Sequence, residues 1–105
     1  MKKKIKGTQD RPRLYIFKSN KHIYAQIIND IEHIIITSSS SNSPKVKNKT
    51  KVYANCEIAK IIGKDIAAKS KQKGITKIVF DRGQKLYHGQ IKALAESVRE
   101  EGIIF

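Results

Sequence analysis

Residues 13–29, RLYIFKSNKHIYAQIIN, decide the fold, because they read as two short strands joined by a polar turn. Successive side chains of a strand point to opposite faces, so Leu14 and Ile16 share one face while Arg13, Tyr15 and Phe17 share the other. The second arm sorts the same way, with Ile23, Ala25 and Ile27 on one side and His22, Tyr24 and Gln26 on the other. Residues directly opposite one another in an antiparallel pair lie on the same face. A turn of two or four residues near Ser19, Asn20 and Lys21 therefore gathers Leu14, Ile16, Ile23, Ala25 and Ile27 into one apolar face. An unbulged three-residue turn would mix the two sets. With the even turn, the second face carries Arg13, Tyr15, Phe17, His22, Tyr24 and Gln26: flat rings interleaved with hydrogen-bonding and cationic groups.

That mixture suits a platform on which nucleic-acid bases stack. The same rings would equally serve as a second buried face beneath another layer of helix. Net charge favours the platform. The chain of 105 residues carries 22 Lys and Arg against 9 Asp and Glu, a formal charge of +13. Such an excess repels itself unless a polyanion takes it up, which points to RNA, DNA or an anionic membrane surface. No amphipathic stretch carries Trp or Phe on an apolar face, so nucleic acid is favoured over membrane.

The length suits one domain with a single core under one sheet, and no repeat is visible. Cys56 is the one cysteine, so no internal disulfide forms. His22, His33 and His88 are far apart, and no His/Cys cluster has metal-ligand spacing; no cofactor is expected. Residues 1–11, MKKKIKGTQDR, lack the apolar core of a secretion signal and read as a flexible basic arm that lies along phosphates, or as a lysine-rich frayed end. Lysine and isoleucine dominate over arginine and leucine, a bias of AT-rich coding sequence that hints at an organelle or a bacterium.

Beyond the hairpin, Asn29 and Asp30 mark a turn, and residues 33–38, HIIITS, read as a third strand, apolar on both faces and hence central. Residues 38–51 are a Ser/Lys-rich segment expected to be a flexible loop within the domain of residues 12–105. Residues 52–73 have helical spacing, with Ile58, Ile61, Ile62 and Ile66 on one stripe, Asn48 or Thr50 as a cap and Gly74 as the stop. Gly63 within that helix implies close packing against the sheet, or a tolerated weak spot. Residues 76–80, TKIVF, follow as a short strand, which a right-handed crossover makes parallel. The loop 81–89, DRGQKLYHG, offers Arg82, Lys85, Tyr87 and His88 at that strand's carboxyl end, where ligands gather. A structural turn with Tyr87 packed inward is the alternative. A second helix presents Ile91, Leu94, Ala95 and Val98 inward and stops at Gly102, and residues 103–105 make a last edge strand.

Taken together, RPRLYIFKSNKHIYAQIIND at 11–30, GITKIVFDRG at 74–83, YHGQIKALAESVREEG at 87–102 and the closing IIF closely resemble the large-subunit ribosomal protein family L eighteen, the universal 5S rRNA binder. The likeness covers nearly the whole chain from Arg11, the Ser/Lys loop excepted. It implies an α/β fold with a mixed sheet in the order β-β-β-α-β-α-β and two helices, similar to ribosomal protein S eleven and ribonuclease H-like in outline. It also implies a structural role in the central protuberance of the large ribosomal subunit, in a plastid or a bacterial cytoplasm. The implied partners are 5S rRNA, 23S rRNA and the neighbouring ribosomal protein L five.

Carried over by position, the family's RNA-facing residues are Arg11, Arg13, Tyr15, Phe17, Lys18, Ser19, Asn20, Lys21, His22, Tyr24 and Gln26, with Arg82, Tyr87 and His88 in the later loop. The basic N-terminal extension is often longer in bacterial members, and position 90 is Gln where the family commonly has Arg, so fewer phosphate contacts are implied from both places. A ribonuclease H-like nuclease is the competing class. It needs several converging carboxylates, and the sequence places Asp81 alone at a suitable strand end, with no evident partner for Asp30 or Asp65. A general nucleic-acid-compacting protein is the third reading.

Overall fold

The connection between the first two strands is even, and this fixes which face of the sheet is buried. The computed structural model describes residues 6–18, 22–40, 56–81 and 89–105. Strand β1, Arg13–Lys18, runs antiparallel to β2, Ile23–Asn29, with Lys18 opposite Ile23 and Leu14 opposite Ile27. Four residues thus separate the last pair, and the apolar set coincides: Leu14, Ile16, Ile23, Ala25 and Ile27 are all fully buried.

Strand β3, Ile34–Ser40, pairs antiparallel with β2, and β4, Val79–Asp81, pairs parallel with β1, in the order β3-β2-β1-β4. The mixed sheet and its parallel crossover are as the sequence implies. The third strand differs, because it lies at an edge rather than in the centre. A register shift between Ile27 and Ile28 leaves Ile36 without a direct partner; Ile36 packs partly into the core while Ile34 and Ile35 stay exposed. A bulge of this kind bends an edge strand and discourages further pairing, which explains how three successive isoleucines can sit at a margin. The strand also runs further than expected. Ser38, Ser39 and Ser40 belong to β3, not to a loop, and residues 41–51 lie outside the described part.

Helix α1, Cys56–Gln72, and helix α2, Gly89–Glu100, cover the apolar face. Ile58, Ile62 and Ile66 of α1 and Ile91, Leu94 and Val98 of α2 join the strand residues in one core. Ile61 packs against that core from its margin. The proposed caps Asn48 and Thr50 and the expected helix start at 52–55 lie outside the described residues. At the other end Gly74 adopts φ 78°, so that Ile75 N–H reaches Ser70 O and Gly74 N–H reaches Lys71 O, the pattern that closes a helix on a left-handed residue. The expected last strand at 103–105 is reduced to one parallel bridge between Lys77 and Ile104.

Gly63 serves a contact other than the one the sequence suggests. A Cβ there would lie 2.7 Å from Leu94 O and 2.7 Å from Ser97 Cβ, so the glycine admits the partner helix rather than the sheet. Ser97 completes the close approach by donating from its hydroxyl to Lys60 O at 2.8 Å. Gly63→Ala gains about 1 kcal/mol of helix propensity. It also overpacks the helix contact, which costs about 1–3 kcal/mol, and the obstructing carbonyl cannot rotate away. Net destabilisation is expected in chemical unfolding; a rise in stability would show that the helices part at no cost.

The N-terminal segment is docked over its last residues, not a free arm through residue 11. Gly7 is buried, its N–H donates to Asp30 Oδ2 at 2.6 Å, and its carbonyl accepts from Asp30 N–H at 3.0 Å. A Cβ at Gly7 would collide with Arg13 N and Ile28 O, so the chain passes here only as glycine. Thr8 N–H to Arg11 O and Arg11 N–H to Thr8 Oγ1 then close a turn that delivers Pro12 into the core.

Candidate nucleic-acid interface

The second face of the hairpin carries the aromatic set, and both helices lie on the opposite side of the sheet. Arg13, Tyr15, Phe17, His22, Tyr24 and Gln26 are half-buried, in contrast to the sealed residues that alternate with them. Phe17 and Tyr24 are direct cross-strand partners and stack at 4.8 Å with planes 7° apart. Tyr15 and Phe17, two residues apart on β1, stack at 5.6 Å. The His22 ring meets Tyr24 edge-on at 6.5 Å, and the Arg13 guanidinium lies 5.4 Å from the Tyr15 centroid.

These groups form a continuous ladder: Arg13, Tyr15, Phe17, Tyr24, His22. Because the rings stack on each other, the ladder offers its flank to solvent. Neighbouring rings hold one another in place, so little order has to be gained when a ligand arrives. Gln26, opposite Tyr15, adds an amide beside the ladder, and exposed Lys18 adds a cation near the connection.

Arg13 has a different task from the rings. Its Nε and one terminal nitrogen bind Asp30 at 2.9 and 3.1 Å, and the other terminal nitrogen binds Asp81 Oδ2 at 2.8 Å. The carboxylates raise its pKa above the ordinary value, the hydrogen bond to Asp30 most of all. Asp30 is in turn held below the ordinary carboxylate range, first by that hydrogen bond and then by Gly7 N–H. One guanidinium thus joins β1 to the end of β2, to the docked N-terminal segment and to β4 at Asp81. Each of its three nitrogens donates to a carboxylate, which makes Arg13 a strut at the end of the ladder.

Sequence reasoning missed this junction, although a signal existed. Once the even connection pairs Arg13 with Ile28, Asp30 stands two residues further along, within reach of a long side chain. The same contact answers the nuclease alternative. Asp30 and Asp81 do converge, but on a guanidinium, while Asp65 is buried on the helical side with Ser39 Oγ at 2.6 Å and Lys69 Nζ at 3.1 Å. Of the remaining sequence candidates, Arg11 is exposed beside Pro12. Ser19, Asn20, Lys21, Arg82, Tyr87 and His88 lie outside the described residues.

Comparison with known proteins places these features. The family model for ribosomal L18 of archaea, bacteria, mitochondria and chloroplast matches residues 1–105. The chain belongs to this family. It is 57% identical over 105 residues to large ribosomal subunit protein uL18c of Gracilaria tenuistipitata var. liui, with the full length of both covered. It is 55% identical over 102 residues to large ribosomal subunit protein uL18 of Trichormus variabilis, covering 97% of this chain and 85% of that one. The uL18c of Porphyra purpurea is 48% identical over 105 residues, covering 88% of its own length. Membership makes this chain a structural constituent of the large ribosomal subunit, not an enzyme, with the ribosome and its rRNA as partners. The chloroplast-type and cyanobacterial relatives match the expected plastid or bacterial setting.

Proposed function

We propose that the sheet face opposite the two described helices binds 5S rRNA and helps attach it to 23S rRNA in the central protuberance, beside ribosomal protein L five. The observation that carries this reading is the aromatic ladder on a sheet face opposite both helices, in a ribosomal chain of formal charge +13. Ring flanks take ribose and base surfaces, the tyrosine hydroxyls and Gln26 offer hydrogen bonds, and lysines meet phosphates. In this account Arg11, Tyr15, Phe17, Lys18, His22, Tyr24 and Gln26 touch RNA, and Arg13 holds their support. Ser19, Asn20 and Lys21, and Arg82, Tyr87 and His88, are assigned RNA contacts by the same family resemblance.

The test is a competition. Labelled 5S rRNA bound to the protein is challenged with unlabelled 5S rRNA or with duplex RNA of random sequence and equal length. Shape-dependent binding predicts displacement by 5S rRNA at far lower concentration than by the duplex. Equal displacement would make the protein a general polyanion binder, the compacting role considered above. Lys18→Ala should lower the slope of log affinity against log salt by about 0.7–0.9, the value for one lost phosphate contact. An unchanged slope would remove Lys18 from the interface.

A further inference from the structure

The platform has a third row. In the β2–β3 pairing Ser38 stands opposite Gln26, and Ser40 opposite Tyr24. Opposite residues share a face, with Cβ atoms about 4.5–5.5 Å apart, so both serines lie beside the ladder on the side away from the described helices. Ser38 is exposed and Ser40 half-buried. Ser39, between them, points the other way and is sealed against Asp65. The serine run, which the composition presents as low complexity, is therefore sorted by the pleat into one inward residue and two outward ones.

The two margins of the ladder differ in the size and chemistry of their side chains. On the β4 side Asp81 stands opposite Tyr15, with its carboxylate already held by the Arg13 guanidinium at 2.8 Å. On the β3 side the neighbours are uncharged hydroxyls of small side chains, and Lys69 Nζ is fixed at Ser38 O, 2.9 Å away. A nucleotide seated along the rings must carry its sugar and phosphate towards one margin. Small side chains that carry hydroxyls favour β3.

We infer that Ser38 and Ser40 bind the ribose-phosphate backbone of the RNA whose bases and riboses lie against the ladder; this rests on the ring-face reading above. A hydroxyl both donates and accepts, so it can meet a phosphate oxygen or a 2′-hydroxyl, and its small size lets the backbone approach.

The experiment measures binding of 5S rRNA transcript to the full chain at physiological ionic strength, with unfolding temperature read in parallel. Ser38→Ala and Ser40→Ala should each weaken binding about fivefold through a lost hydrogen bond. Ser38→Asp and Ser40→Asp should weaken it about tenfold or more by facing phosphate with like charge. Ser39→Ala should lower the unfolding temperature and leave the affinity of the folded protein unchanged. Because the Ala variants are smaller than the native residues, they keep the test valid if an Asp variant fails to fold. Full affinity in both Ala variants, with Tyr24→Ala defective, would overturn this inference and leave the ring-face reading standing. Full affinity in Tyr24→Ala as well would remove both.

Discussion

Replacing Tyr15 and Phe17 together by Ala is expected to weaken 5S rRNA binding about a hundredfold, while the domain still unfolds cooperatively. Each base–aromatic contact is worth about 1–3 kcal/mol, and about 1.4 kcal/mol corresponds to a tenfold change, so two contacts at the lower part of that range give this loss. The double substitution also interrupts the ladder, since Phe17 links Tyr15 to Tyr24. Stability should fall only modestly, because these rings are half-buried while Leu14 and Ile16 beside them carry the core. Affinity from a filter-binding titration and cooperativity from chemical unfolding check the two halves separately. A protein that no longer folds would show that the rings act as core, and a folded protein with native affinity would show that the RNA docks elsewhere.

Asp30→Ala is the second large effect, and it acts on stability. The substitution removes the hydrogen bonds to Arg13 at 2.9 and 3.1 Å and the one from Gly7 N–H at 2.6 Å. Hydrogen bonds to charged groups contribute about 1.5–3 kcal/mol each, and partial exposure of this pair reduces the sum, so a loss of about 3 kcal/mol is expected. Urea unfolding at neutral pH measures it. The same junction fixes an acid response. A carboxyl whose pKa is lowered on folding stabilises the native state above its unfolded pKa, near 3.8 here, and that contribution disappears as pH falls through the lower folded value. Arg13, raised from an already high value, stays charged throughout and adds no slope. Stability should therefore drop on acidification below about pH 4, and Asp30→Asn should flatten that part of the curve. An acid response identical in the variant would mean that Asp30 is not held by Arg13 in solution.

The hairpin was legible because its two faces differ at every step and an even connection is the only one that keeps them apart. The helices were legible from the isoleucine stripe of α1, the stripe of Ile91, Leu94 and Val98 in α2, and the glycines after them. What escaped depends on residues distant in sequence. Three isoleucines in a row suggest a central strand, yet a bulge at a margin accommodates them equally well, and only the pairing with β2 tells the two apart. The buried Ser39 and Asp65 are 26 positions apart, and neither is informative until the other is placed. Gly63 announces a close contact but not its partner, because a missing Cβ has no direction in sequence. Arg13 sits among the rings by alternation, and its ion pairs with Asp30 and Asp81 were not visible in that pattern. The pattern thus grouped Arg13 with the rings on one sheet face and left its carboxylate partners unseen.

The central claim is that RNA approaches the sheet face remote from the helices. Backbone amide shifts of the isotope-labelled protein, followed as 5S rRNA is added, test it most directly. The largest changes are expected at Tyr15, Phe17, Tyr24, Gln26, Ser38 and Ser40, with the outer surfaces of α1 and α2 little affected. Changes concentrated on the exposed residues of the helices, such as Lys60, Lys64 and Lys92, with the strands silent, would contradict it.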